Sequence, residues 1–163
     1  LATLKGPLHG GANEHVIRLL LKLKSPEEGE GWVKEAFARK DKMPGFGHRV
    51  YRTEDPRATH LRALAEKLTR ASGHEDLFAI STRIESTVKA LKPIYPNVDF
   101  YSATAYYAMG IPVDIYTPIF GISRMSGYVA HVLEQYANNR LIRPRAEYKG
   151  NADGRAWVPL EAR

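Results

Sequence analysis

The residues best able to do chemistry sit in Gly45-Phe46-Gly47-His48-Arg49-Val50-Tyr51-Arg52 and its continuation Thr53-Glu54-Asp55-Pro56-Arg57. His48 can give or take a proton near neutral pH. Arg49, Arg52 and Arg57 are permanent planar donors suited to carboxylate or phosphate. Gly45 and Gly47, on either side of Phe46, let backbone approach a ligand closely and supply torsions that other residues resist. The stretch reads as a holder for a polar, anionic ligand. Two others agree with it. In Leu4 to His15, His9 lies in a Gly-rich turn just before a helix, where the dipole disfavours imidazolium. A neutral His there can donate an N–H to a developing enolate oxygen, or merely satisfy local backbone groups. In Asn97-Val98-Asp99-Phe100-Tyr101-Ser102, Asp99 is a first-turn acid of the kind the dipole alone favours. Partly desolvated among Val and aromatic neighbours, it would also serve as a base on a weak carbon acid.

Other chemistries find no residues to carry them. The chain of 163 residues has no cysteine, which removes disulfides, thiolate zinc sites and cysteine nucleophiles and accords with a reducing cytoplasm. No Asp/Glu–His cluster has zinc spacing, and neither a Gly-Lys-Ser/Thr phosphate loop nor a Gly-x-Ser-x-Gly elbow occurs. No metal is expected. His15, His60, His74 and His131 read as structural or solvated. The net charge of +6 suits anionic ligands. No recognition-helix or single-strand stacking pattern supports nucleic acid. The best apolar run, Val16 to Leu23, is short and interrupted by Arg18 and Lys22, so no membrane span is expected. A first residue of Leu, with no signal-peptide pattern behind it, suggests a piece of something longer.

The elements that must position these residues are helical. Val16, Ile17, Leu19, Leu20, Leu21 and Leu23 cover more than one face of a mostly buried helix, ending near Ser25-Pro26. Glu27 to Lys42 carries Trp32, Val33, Ala36 and Phe37 at helical spacing, until Pro44-Gly45 breaks it. Arg57 to Ala71 shows a Leu61, Leu64, Leu68 stripe closed by Ser72-Gly73. Leu77, Ile80, Ile84, Val88 and Leu91 make the next, ended by Lys92-Pro93. Asn97 is an N-cap for a helix from Val98 to about Met109, stopped by Gly110 and Pro112. A last helix runs from near Pro118 to Asn138-Asn139, and Arg140 to Arg163 reads as an extended arm. With no convincing strand, the fold class is all-α.

Gly6 to Glu14 (GPLHGGANE), Gly45 to Arg57 (GFGHRVYRTEDPR) and Pro96 to Ala103 (PNVDFYSA) stand in the order and style of citrate synthases. Ile122 to His131 (ISRMSGYVAH) and Arg140 to Tyr148 (RLIRPRAEY) extend the match, so the chain resembles the C-terminal portion of that family. The resemblance implies that His9 hydrogen-bonds the thioester oxygen of acetyl-CoA while Asp99 removes a methyl proton. It implies that His48 polarises the oxaloacetate carbonyl, that Arg57 and Arg124 clamp the oxaloacetate carboxylates, and that Arg143 serves the neighbouring subunit's site. Arg52 would meet the phosphates of CoA, and the Gly45-Phe46-Gly47 backbone would face its adenine. CoA and acetyl-CoA are then substrates, and no metal or tightly bound cofactor is implied.

The family's further oxaloacetate-binding histidine and most of its large, dimer-forming domain precede the matched portion. The resemblance thus assigns residues 1–110 to the small, CoA-facing domain and 111–163 to the helix and arm that return to the large one. A homodimer follows from it, or assembly with a separate N-terminal piece; the chain by itself is expected to be inactive. 2-Methylcitrate synthase, using propionyl-CoA, is the nearest competing reading. The complete Gly-Pro-Leu-His and Pro-Asn-Val-Asp motifs fit synthases better than citryl-CoA lyases. From another class, a non-catalytic CoA-binding or dimerisation module would also keep these motifs.

Overall fold

The structure is a computed structural model that describes residues 4, 6, 11–150, 154 and 156–162. Among them are six α-helices: α1 (Ala12–Leu20), α2 (Pro26–Ala38), α3 (Pro56–Ser72), α4 (Glu75–Leu91), α5 (Val98–Ala108) and α6 (Tyr116–Ala137). Short 3-10 turns occupy Val113–Ile115 and Leu160–Ala162. Two compact units divide the chain, Leu1–Gly127 and Tyr128–Arg163. The all-α expectation holds: the described residues contain no strand, only an isolated antiparallel bridge between Phe46 and Pro96.

Three helix starts have a side-chain cap. Ser25 accepts from the Glu28 amide at 3.3 Å while the Glu28 carboxylate reaches back to the Lys24 amide at 2.8 Å, a reciprocal cap before Pro26. Asp55 caps α3 ahead of Pro56, and Asn97 caps α5 by accepting from the Asp99 amide at 2.9 Å. Gly73, at φ 74°, closes α3 in the left-handed conformation.

The core is built around α5. Its residues Phe100 to Ala105 are buried without a break, as a helix covered on all sides requires. It packs chiefly against α3 and α1, while α2 lies on α4. Val16, Ile17, Leu20, Val33, Ile80, Ile84 and Val88 fill the space between them. Burying side chains of this kind contributes about 1.5–3 kcal/mol each before the entropy of ordering is subtracted.

The apolar pattern misleads in four places. α1 stops at Leu20, and Leu21 faces solvent instead of the core. α2 stops at Ala38, because Lys40 adopts a left-handed turn (φ 60°) before Pro44 is reached. On α3 the buried line passes through Ala58, Ala65 and Thr69, leaving Leu64 exposed. α6 begins at Tyr116, two residues before Pro118. The second unit contains the end of α6, a stretch from 139 to 149 with no regular secondary structure, and the turn at Leu160–Ala162. Among the described residues, no helix is long and apolar enough to cross a membrane.

Candidate active site

A cleft of about 710 Å³ in the first unit is lined by Phe46, Gly47, His48, Arg49, Arg52, Arg57, Asn97, Asp99, Phe120 and Arg124, with Ala12 and Val98 completing the wall. The loop between α2 and α3 brings His48, Arg49 and Arg52, the first turn of α3 brings Arg57, the start of α5 brings Asp99, α6 brings Phe120 and Arg124, and the start of α1 brings Ala12.

The loop is stitched to the segment before α5. The Gly47 amide donates to the Tyr95 carbonyl at 2.9 Å, and the Asn97 amide donates to the Gly45 carbonyl at 2.8 Å. The Asn97 side chain supplies a further bond, Nδ2 to the Gly47 carbonyl at 3.0 Å. Asn97 thus caps the helix that carries Asp99 and ties down the loop that carries His48. Phe46 packs edge-on against Phe100, with ring centroids 4.7 Å apart. Gly45 is buried and does not line the cleft: its φ of 75° turns the chain beneath the loop, against Val16 and Phe100.

His48 has a defined proton. Its Nδ1 accepts from the amides of Val50 (3.0 Å) and Tyr51 (3.1 Å), so the proton of the neutral ring resides on Nε2. The ring lies against Tyr51, centroids 4.4 Å apart. A neutral imidazole held this way is a hydrogen-bond donor on its outer edge.

Arg57 is fixed by its own helix cap. Asp55 Oδ1 accepts from Arg57 Nε at 3.0 Å and Oδ2 from Nη2 at 2.7 Å, while Oδ1 also takes the Arg57 amide at 3.0 Å. The guanidinium holds the buried Asp55 carboxyl below its ordinary value, and Asp55 in turn raises Arg57. Asp55 was not singled out from the sequence, although an Asp two residues before an Arg, capping a Pro-initiated helix, was its signal.

Asp99 is half-buried in the first turn of α5, where the helix dipole favours the carboxylate. Tyr106 feels it: burial, and behind it the Asp99 charge, raises the phenol above its ordinary value. Thr117 donates to the buried Glu14 at 2.8 Å, anchoring the start of α6 to α1. Phe120 and Arg124 follow on that face of α6, with the guanidinium 5.0 Å from the centre of the phenyl ring.

Of the residues singled out from the sequence, the cleft gathers His48, Asp99, Arg57, Arg124, Arg52, Phe46 and Gly47. His9 lies outside the described residues. Arg143 is exposed in the second unit. His15, His60 and His131 are exposed, and His74 rests 5.2 Å from the ring of Tyr107. Among the described residues, no group of three or more His, Asp or Glu side chains comes together as a metal site.

The comparisons with known proteins converge on one family. Residues 1–145 match the family model described as citrate synthase, C-terminal domain. "Citrate synthase 2" of Bacillus subtilis is 50% identical over 163 residues, covering 100% of this chain and 44% of the relative. "Citrate/2-methylcitrate synthase" of the same organism is 46% identical over 151 residues, covering 92% and 41%. Among solved structures, citrate synthase from Thermoplasma acidophilum, a ternary complex with carboxymethyl coenzyme A and oxaloacetate, superposes with a TM-score of 0.81. It is 42% identical, covering 98% of this chain and 44% of that one. The chain therefore spans less than half the length of each of these three relatives. With the family model matched over residues 1–145, this chain belongs to the citrate synthase family.

Proposed function

We propose that the chain supplies the C-terminal part of a citrate-synthase-type acyltransferase, condensing acetyl-CoA with oxaloacetate to citrate and CoA. The observation that carries this reading is the convergence on one cleft of a half-buried carboxylate, an Nε2–H imidazole and four arginines. In this proposal Asp99 takes a methyl proton from the thioester. His9, which family resemblance assigns to the thioester oxygen, donates a hydrogen bond to the enol as it forms. A thioester methyl is a very weak acid, so base and donor must act together, and excluding water strengthens both. His48 offers its Nε2–H to the oxaloacetate carbonyl, drawing charge onto that oxygen as the enol carbon attacks. Asp55 occupies Nε and Nη2 of Arg57, which leaves Nη1 for a carboxylate of the acceptor. Arg124 takes the other carboxylate, so the acceptor is oriented before the bond forms. Arg52 and the Phe46-Gly47 backbone meet the phosphates and adenine of CoA, while the buried Gly45 serves only to turn the chain beneath them. Hydrolysis of citryl-CoA releases the products.

In the family arrangement that this reading adopts, residues 1–110 are the small domain and 111–163 belong to the large one. Arg143 then serves the neighbouring subunit of a cytoplasmic homodimer. Propionyl-CoA as acyl donor, giving 2-methylcitrate, is the second reading, favoured by the 46% identity to a relative named for both activities. One methylene shifts selectivity by only about 10–200-fold, so the acyl preference lies in details of the assembled pocket.

The test joins this chain to the N-terminal portion of Bacillus subtilis citrate synthase 2. The chimera is expected to release CoA from acetyl-CoA and oxaloacetate, and the 163-residue chain alone to give no turnover. Turnover by the chain alone would show that the cleft needs no complement. A folded chimera that binds CoA without turnover would replace the enzyme reading with a non-catalytic CoA-binding module. Comparing propionyl-CoA with acetyl-CoA in the same chimera ranks the two donors.

A further inference from the structure

Beneath the cleft, and outside its lining, lies a charged cluster that the proposed reaction does not use. Its centre is Glu85 on α4, only 4% exposed. Glu85 Oε1 accepts from Arg62 Nη2 of α3 and from Lys89 Nζ of α4, the latter at 2.6 Å. Its Oε2 accepts from the Tyr101 hydroxyl of α5. Arg62 Nε also reaches that hydroxyl, at 3.3 Å. Glu54, from the loop before α3, stands 3.9 Å from Arg62 Nη2 and 3.6 Å from Lys89 Nζ. Burial, and then the bond to Glu85, push the Tyr101 phenol above its ordinary value, which keeps its proton available for donation.

Three of its members connect to the cleft through short chains of contact. Glu54 directly precedes Asp55, which holds Arg57. Tyr101 lies two residues after Asp99 on the same helix. Lys89 stands 5.6 Å from the centre of the Tyr95 ring, and the Tyr95 carbonyl accepts the amide of Gly47, the neighbour of His48. We propose that Glu85 is a positioning residue: through Arg62, Lys89 and Tyr101 it sets the relative placement of the loop bearing His48 and Arg57 and the helix bearing Asp99. A buried carboxylate bonded to three donors costs desolvation and is weak as a stabiliser of the fold, but it admits one arrangement of its partners. Removing its charge leaves Arg62 and Lys89 with one shared carboxylate, Glu54. They draw Glu54 inward, and Asp55 and Arg57 move with it. Arg52, which has no bond to the cluster, stays where it is.

The inference rests on the reading of the cleft as a dicarboxylate and CoA site, and the experiment separates the two. In this chain, Glu85→Gln is compared with Ser81→Ala, a buried position one turn earlier on α4 whose hydroxyl bonds only the Leu77 carbonyl and Thr104. The first readout needs no ligand: the NMR signal of the Arg57 Nε–H, identified by its loss in Arg57→Lys. It is expected to shift in Glu85→Gln and to stay unmoved in Ser81→Ala. The second is titration with oxaloacetate and with CoA of the same variants joined to the N-terminal portion of Bacillus subtilis citrate synthase 2. Glu85→Gln is expected to weaken oxaloacetate by about tenfold, as a misplaced clamp does, and CoA by less than about twofold. The Glu54→Gln/Glu85→Gln double variant should be no worse than Glu85→Gln, since the inward pull has lost its target. An unmoved Arg57 signal, or equal weakening of both ligands in both single variants, overturns the proposal. If the chimera carrying the unmodified chain ignores oxaloacetate, the reading of the cleft fails, while the Arg57 signal still decides the positioning role.

Discussion

At Asp55 two carboxylate oxygens serve three donors of a single residue, the amide, Nε and Nη2 of Arg57. The arrangement caps α3 and holds the guanidinium in one plane. Asp55→Asn keeps an acceptor for the cap and loses the charge that faces Arg57. The expected loss of stability is about 1 kcal/mol, because Arg57 is nearly half exposed and water replaces part of the pairing. Its pH dependence has a definite sign. The folded carboxyl lies below its ordinary value of 3.8, so its stabilising contribution is complete above that value and is lost as pH falls through the lowered one. Urea midpoints of the native and Asp55→Asn chains should differ by a constant amount from neutrality to about pH 5 and converge in stronger acid. A gap that widens as pH falls would rule out the charge pairing as its origin.

At the scale of elements, the loop from Gly45 to Gly47 contains two glycines of similar torsion and different surroundings. At Gly45 (φ 75°) an added Cβ would lie 2.8 Å from Val16 Cγ2 and 2.9 Å from Phe100 Cδ2. At Gly47 (φ 78°) it would meet nothing within 4 Å. Gly47→Ala therefore carries only the left-handed penalty, about 1 kcal/mol. Gly45→Ala adds overpacking of the α1–α5 contact and is expected to cost about 3 kcal/mol in urea unfolding. Equal costs would mean that the loop relaxes away from the core. Both glycines were visible in the sequence, but their difference was not, because Val16 and Phe100 lie 29 and 55 residues away along the chain. The same divide runs through the fold. Ser25-Pro26 and Asn97 announced helix starts because a cap is a local bond. Leu64 was assigned inward and points outward, because α5 packs on α3 along the line of Ala58, Ala65 and Thr69. The cleft was legible where a motif is contiguous, at His48 and Arg57. The Glu85 cluster was illegible, since its bonds join residues 16, 23 and, from Arg62 to Tyr101, 39 positions apart.

For the molecule as a whole, the apolar surface of the second unit bears on its state in solution. On α6, Tyr128, Val129, Val132, Leu133 and Tyr136 are all about half exposed or more, at spacings that keep them on one side of the helix. The arm adds Leu141, Ile142, Tyr148, Trp157 and Leu160, each at least 71% exposed. Stripes of this extent mark a surface that meets another. The net charge of +6 opposes association only weakly at physiological salt, where fields decay within about 8 Å. The 163-residue chain is therefore expected to self-associate at micromolar concentration, giving a light-scattering mass above its 18.3 kDa. Changing Val129 and Leu133 to Glu places two carboxylates on the stripe and should return the mass to that of one chain. In the chimera with a relative's N-terminal portion, the proposed homodimer would offer the same stripe a surface to meet. There a discrete dimer is expected, and the double Glu variant should lower its CoA-releasing activity together with its mass. A chain that remains monomeric without the substitutions would rule out this stripe as a surface of association.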